Sequence, residues 1–315
     1  MTSSSRRGLP HLAAAVDLPG EYDAGAHVEL IRLAERGGLD FVTLDDTSAG
    51  PGPGPGPGPG PGPGVGPSGV GPGPGLDAVA VLSRAVAATR RVGLVPMVTG
   101  PHAGSADGEA AVAHLDRVSR GRAGRRIDVS GGEPSHLAAL TGPSPQGHTV
   151  RVADATDGPA RLAAARYADV VLARVTSRAQ ARSVRDQLRA DAAESGREPD
   201  SLRVLAALSI DLGDGEHAAE PGHGGGGPRR SARGPLYRGG PVDLADLIAS
   251  WHRDGAVDGF HLIPVEPRRD LERLVNGTVA LLQHRGLFRT FYPGGTLREH
   301  LGLARPVGQV AGGRT

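Results

Sequence analysis

The sequence predicts an α/β fold, and within that class a (β/α)8 TIM barrel. Two observations carry the prediction. The stretch from Ala110 to Ser130 reads as a helix, a Gly-punctuated turn and a strand in direct succession, which is the repeat unit of an α/β fold. That unit recurs along the 315 residues until eight strands can be placed. A doubly wound open sheet would fit the same alternation, but the glycine fingerprint of dinucleotide binding is missing after the first strand. The whole chain, residues 1–315, is expected to form one domain.

The elements follow in order. Leu9 to Val16 is the first strand and ends at Asp17. Val28 to Arg36 is a helix with Leu30, Leu33 and Ala34 inward, closed by Gly37 and Gly38. Phe41 to Leu44 is the second strand and ends in Asp45 and Asp46. A Pro-Gly tract over 50–75 has almost nothing to bury and is expected to be disordered. Its period of two excludes collagen. Leu76 to Ala88 is the next helix. Val92 to Val98 is a near-continuous apolar run, as a buried parallel strand should be, and Thr99 follows it.

Val112, Leu115 and Val118 form the apolar face of the third helix, which the SRGRAG turn stops. Arg126 to Ser130 alternates polar and apolar and is the fourth strand. Residues 131–147 hold at most a short helix from Ser135 to Leu140. Thr149 to Ala153, Asp169 to Ala173 and Leu202 to Ile210 are strands five to seven. Ala160 to Tyr167 is the helix after strand five, and Ser177 caps a helix running to Glu194. A second Gly-rich stretch over 217–233 reads as a loop, and its His217 and His223 lack any frame on which to converge on a metal. Val242 to Trp251, Gly259 to Pro264 and Leu271 to Arg285 complete the alternation, and Gly286 ends the last helix.

Composition excludes several functions. Hydrophobic residues are 38% of the chain because 50 Gly and 27 Pro are crowded into a few places. Net charge is +1, and every one of the 35 basic residues is Arg. No patch is basic enough for nucleic acid. With no cysteine there is no disulfide, thiolate nucleophile or Cys-based metal site. No apolar run reaches membrane-spanning length, so a cytoplasmic protein is expected. The chemistry of a barrel lies at the C-terminal ends of its strands. Those ends carry Asp17, Asp45, Asp46, Thr99 with His102, Asp128, Ser130, Asp154, Thr156, Arg174, Asp211 and Glu266. Half of these acids are expected only to cap the following helix. No Ser-His-Asp set or paired histidines stand out, and no catalytic residue can be singled out. A carboxylate-based hydrolase remains open on these residues alone.

Several stretches resemble the flavin-dependent, bacterial-luciferase-like monooxygenases, in the branch of nitrilotriacetate monooxygenase. They are LAERGGLDFVTLDD (33–46), LDAVAVLSRAVAATRRVGLVPMVT (76–99), AVAHLDRVSRGRAGRRIDVS (111–130), AAARYADVVL (163–172) and DGFHLIP (258–264). The tail LLQHRGLFRTFYPGGTLREHLGL (281–303) is the most specific. The resemblance implies a barrel, a homodimer, and oxidation of a small organic substrate by O2 and reduced FMN. A separate flavin reductase supplies the FMN, and a deazaflavin is a sub-variant. The flavin ring needs a dry pocket at the strand ends. Asp45, Thr99, Asp128 and Ser130 match the positions beside it. Thr156, Gly158, Gly239 and Gly240 match the phosphate site, where helix N-termini present free N–H groups.

Two departures stand beside the resemblance. Asp157 replaces a small hydroxyl residue, and a carboxylate at 4 Å from a phosphate is repelled by about 1 kcal/mol even in water. The connection between strands four and five is short, and His136 is the sole remnant of the residues expected there. A degenerate, non-catalytic barrel that binds a ligand or serves as a dimerising scaffold is the alternative these departures favour.

Overall fold

The computed structural model of the chain describes residues 8–46, 75–97, 106–127, 129, 144–155, 158–213 and 227–305. The Pro-Gly tract up to Pro74, Thr99, His102, Asp128, Ser130, the 135–140 helix, His136, Thr156, Asp157, His217 and His223 lie outside the described residues.

Eight parallel strands form the frame. They are β1 (His11–Ala15), β2 (Phe41–Asp45), β3 (Gly93–Met97), β4 (Gly124–Ile127), β5 (Val150–Asp154), β6 (Val170–Ala173), β7 (Arg203–Asp211) and, after two short strands described below, β10 (Gly259–Pro264). The order is β3-β2-β1-β10-β7-β6-β5-β4. Leu94 bridges to Ala123 in parallel, and its N–H donates to Arg122 O at 2.9 Å. That bridge brings β3 against β4 and nearly closes the ring, as expected for a barrel.

Helices pack outside, each starting where local chemistry lets it. In α1 (Ala24–Arg36), Asp23 accepts from the N–H groups of Gly25 and Ala26. In α2 (Ala78–Ala88), Asp77 accepts from Ala80. In α5 (Arg178–Glu194), Ser177 accepts from Gln180, as its sequence position predicts. These side chains satisfy N–H groups that a helix leaves open at its start. Helix α3 (Ala106–Val118) ends on Arg120 and Gly121, both in the left-handed region at φ 60° and 86°. Helices α4 (Gly158–Tyr167) and α6 (Pro241–Arg253) complete the set before β10.

Three local readings differ from the sequence expectation. The fourth strand, Gly124–Ile127, begins two residues before the alternating run. Gly124 belongs in the strand because a Cβ there would lie 2.8 Å from Val95 Cγ2, so only glycine fits the approach of β3. Residues 229–231, expected within the Gly-rich loop, form a strand β8 (Arg229–Ser231). It pairs antiparallel with β9 (Gly234–Arg238), which in turn pairs parallel with the end of β7. Strand β7 runs to Asp211, past the barrel rim, and so offers β9 an edge. The last long helix is divided into α7 (Pro267–Arg273), a π-helical turn (Leu274–Val279) and α8 (Ala280–His284). Within that turn Gly277 lies against Pro241, where a Cβ would meet Pro241 Cβ at 2.6 Å.

Side chains alternate between two cores. Val42 and Leu44, Val204 through Ile210 at even positions, and Phe260 and Leu262 pack outward against the helices. Ala13, Phe41, Val95, Val150, Val152, Val170, Leu172, Leu205 and Ala207 fill the barrel interior. Leu297 and Leu301, from the short α9 (Leu297–His300) and its end, join them together with Leu303. The tail therefore plugs the N-terminal end of the barrel. Leu297 reaches so far in that a Cβ on Gly93 would sit 2.6 Å from its Cδ1.

The residues that make the tail distinctive in sequence hold this plug. Arg289 donates to Gly38 O and to Asp40 Oδ1 at 2.8 Å, and the Tyr292 hydroxyl donates to Leu39 O at 2.9 Å. Thr296 and Glu299 form a reciprocal capping box. Among the described residues no helix is long and apolar enough to cross a membrane.

Candidate active site at the barrel mouth

Counting two residues up each strand from the interior layer gives the residues that face the opposite end. They are Ala15 and then Asp17 after β1, Thr43 and Asp45 on β2, Met97 on β3, and Arg126 on β4. Asp154 on β5, Arg174 after β6, Ser209 and Asp211 on β7, and His261 and Ile263 on β10 complete the ring. Thr43 and His261 are buried, whereas Asp17, Asp45, Arg126, Asp154, Arg174, Ser209 and Ile263 reach solvent. An accessible polar mouth thus lies over a closed floor.

Two contacts organise the floor. Thr43 Oγ1 and His261 Nε2 are hydrogen-bonded at 2.9 Å across β1, between residues 218 positions apart. The guanidinium of Arg126 is ion-paired with Asp154 on the neighbouring strand. The ring of His261 lies over Phe41, with centroids 6.4 Å apart and 15° between planes. Burial, with Arg126 adding to it, pushes the His261 imidazole down to about 4, so it is neutral near pH 7.

The rim is acidic. Asp17 Oδ1 accepts from the Asp45 N–H at 2.7 Å. Loss of solvent around the mouth pushes the Asp45 carboxyl up to about 6, and the charges of Asp17, Asp154 and Asp46 push the same way against Arg126. Burial also raises Asp17. A carboxyl held as Asp45 is exchanges protons near neutral pH, which suits acid–base work. Asp211 differs: its carboxylate is engaged by Arg238 at 2.9 Å and Arg269 at 2.7 Å and is held below its usual range despite burial.

Of the residues expected at the flavin ring, Asp45 stands at the mouth at the end of β2. Of those expected at a phosphate, Gly158 is the first residue of α4, and a Cβ there would meet nothing within 4 Å. Gly239 donates its N–H to Asp211 O at 3.1 Å. Gly240 caps α6 with no side chain, so no cap competes for the N–H groups of its first turn. The starts of α4 and α6 lie at the same end of the barrel as Asp45. Thr99, Asp128, Ser130 and Thr156 fall outside the described residues, so their places beside the ring and phosphate stand as sequence expectations.

Sequence reasoning missed Thr43, Arg126 and His261. A polar residue at an inward position of an otherwise apolar strand was the available signal, in FVTLD and GFHLIP.

No family model matches the sequence. Among curated proteins, the chain is 47% identical over 73 residues to nitrilotriacetate monooxygenase component A of Aminobacter aminovorans, covering 23% of this chain and 16% of that protein. It is 42% identical over 76 residues to N-acetyl-S-(2-succino)cysteine monooxygenase of Bacillus subtilis (strain 168), covering 24% and 17%. Among solved structures, EDTA monooxygenase from Chelativorans sp. BNC1 superposes with a TM-score of 0.68 at 18% identity, over 95% of this chain and 99% of that one. The matched stretches and the shared fold support the luciferase-like monooxygenase family, in the nitrilotriacetate monooxygenase branch.

The sequence matches span about one sixth of those curated relatives, 16% and 17% of their length. The structural likeness runs over nearly the whole chain and is one of fold. A riboflavin lyase solved with modified FMN (TM-score 0.67, 18% identity, 96% of this chain and 98% of that chain) shares that fold. So does a coenzyme F420-dependent tetrahydromethanopterin reductase from Methanopyrus kandleri (TM-score 0.57, 13% identity, 87% and 99%).

Proposed function

We propose that the chain is a flavin-dependent monooxygenase that oxidises a small organic substrate with O2 and reduced FMN, the FMN coming from a separate flavin reductase. The accessible polar mouth over a sealed apolar barrel is the observation that carries this reading. The residues present fit a flavin. His261 Nδ1 is a buried polar atom that no described residue meets, and Gly158 leaves open space at a helix start. Asp45, Thr99, Asp128 and Ser130 would line the ring, and Thr156, Gly158, Gly239 and Gly240 would hold the phosphate. When bound, the reduced flavin supplies the electrons with which O2 oxidises the substrate.

The chain's own residues bind, orient and exclude water. The Leu297, Leu301 and Leu303 plug denies water a path from below. Asp45 carries a proton for part of the neutral pH range and passes it at its carboxyl oxygen. A homodimer in the cytoplasm, and a deazaflavin in place of FMN, belong to the same proposal. The shared fold of the F420-dependent reductase supports the deazaflavin variant.

One observation favours the second reading, a barrel without catalysis. Arg126 and Asp154 already neutralise each other inside the mouth, so this arginine is not free for an anionic ligand. Titration of the purified chain with FMN, followed by flavin fluorescence and repeated with reduced FMN under anaerobic conditions, tests both. The expected result is micromolar binding. No binding of FMN or a deazaflavin in either redox state overturns the enzyme reading and leaves the scaffold.

A further inference from the structure

His261 stands where the apolar interior meets the mouth. In register, its neighbours are Ala13 on β1 and Ala207 on β7, so neither adjacent strand places bulk beside its ring. The next inward residues on those strands are Ala15 and Ser209, and Ser209 is half-exposed. Its Nε2 is taken by Thr43, and its Nδ1 is buried with no partner among the described residues.

A neutral imidazole has one N–H and one lone pair. If Nε2 carried the proton, it would donate to Thr43, leaving both the Thr43 hydroxyl proton and the Nδ1 lone pair unmet. If Nδ1 carries it, Thr43 donates to Nε2 and a single N–H is left over. The second arrangement leaves fewer buried groups unsatisfied and is the one the floor selects.

We propose that the His261 Nδ1–H is a donor built to receive a carbonyl oxygen of the ligand in the mouth, with Thr43 as the residue that fixes its tautomer. The proposal rests on the reading of the mouth as a ligand site. It names one chemistry with two sources, a carbonyl of the flavin ring or a carbonyl of the substrate. His261 is thus a contact residue, and Thr43 a positioning residue acting through it.

The test uses the full chain labelled with 15N at histidine. His261 is assigned by the resonance lost in His261→Phe. The expected spectrum shows a protonated Nδ1 and an unprotonated Nε2 that do not titrate between pH 5 and 8. Lumiflavin, the ring without its phosphate tail, and N-methylacetamide are then added separately. A downfield shift of the Nδ1 proton with lumiflavin assigns the flavin carbonyl, and a shift with N-methylacetamide alone assigns the substrate. No shift with either, or a proton on Nε2, overturns the proposal. FMN affinity, read separately by fluorescence, reports on the flavin reading, so the two can fail independently.

A variant pair adds a second readout. Thr43→Val with His261→Phe removes both polar partners while keeping their shapes. The pair is expected to melt higher than the parent and to bind the shifting probe at least tenfold more weakly. A lower melting temperature with unchanged affinity means that the histidine serves only the fold.

Discussion

The two ends of the barrel use charged residues in opposite ways. At the N-terminal end every buried charge named has partners. Asp40 accepts from the Leu12 N–H at 2.7 Å and from Arg289 at 2.8 Å, and lies 3.1 Å from His11 Nδ1. These partners outweigh the cost of its complete burial and hold it down to about 2. At the C-terminal end loss of solvent, with the charges of Asp17 and Asp154 against that of Arg126, pushes Asp45 up to about 6. Net pairing stabilises a fold, while like charges held together cost stability and store chemistry. The sealed end is the structural end, and the strained end is the site.

The largest way to break this contrast is at the seal. Arg289→Ala leaves Asp40 buried with His11 as its remaining side-chain partner and should cost about 3–5 kcal/mol of unfolding free energy in a urea titration. A loss below about 1 kcal/mol would mean that the pair is not the bolt it is taken for. Leu297→Ala should follow at about 2–5 kcal/mol, because the cavity it leaves is walled by Gly93, Phe41 and Gly124.

The contrast also predicts opposite pH dependences. Asp40 titrates lower folded than its ordinary 3.8, so its contribution is full above that value and is lost as pH falls through about 2. Asp45 titrates higher when folded, so the native state binds the extra proton between 3.8 and about 6. Its contribution therefore declines as pH rises through that window. Asp45→Asn should raise the melting temperature at pH 7 to 8 and flatten the profile between pH 4 and 7. An unchanged profile would remove Asp45 as the strained group. The smallest effect is expected at Gly158→Ala, within about 0.5 kcal/mol of the parent. Weaker FMN binding in that variant would sharpen the phosphate assignment, and unchanged binding would move it elsewhere.

Legibility follows the range of the interactions. Strand β10 and helix α5 are legible to the residue, because an apolar run and a serine cap are local signals. Strand β4 begins two residues before its expected start, because its register depends on how close β3 comes to Gly124. Strand β8 reads as loop, since the hairpin it forms rests on the overhang of β7 and not on a neighbour in sequence. The most specific stretch of the chain, from 281 to 303, points to the family yet serves the seal and not the site.

By itself the sequence determined the alternation of strands and helices, the glycine turns that divide them, and the family they resemble. Each of these rests on residues within a few positions of one another. Only the tertiary structure decided what sits in the mouth. Thr43 meets His261, Arg126 meets Asp154, and Asp17 meets Asp45 because ring closure brings distant strand ends to one face. A strand end in sequence shows a carboxylate; its protonation depends on neighbours that closure alone supplies.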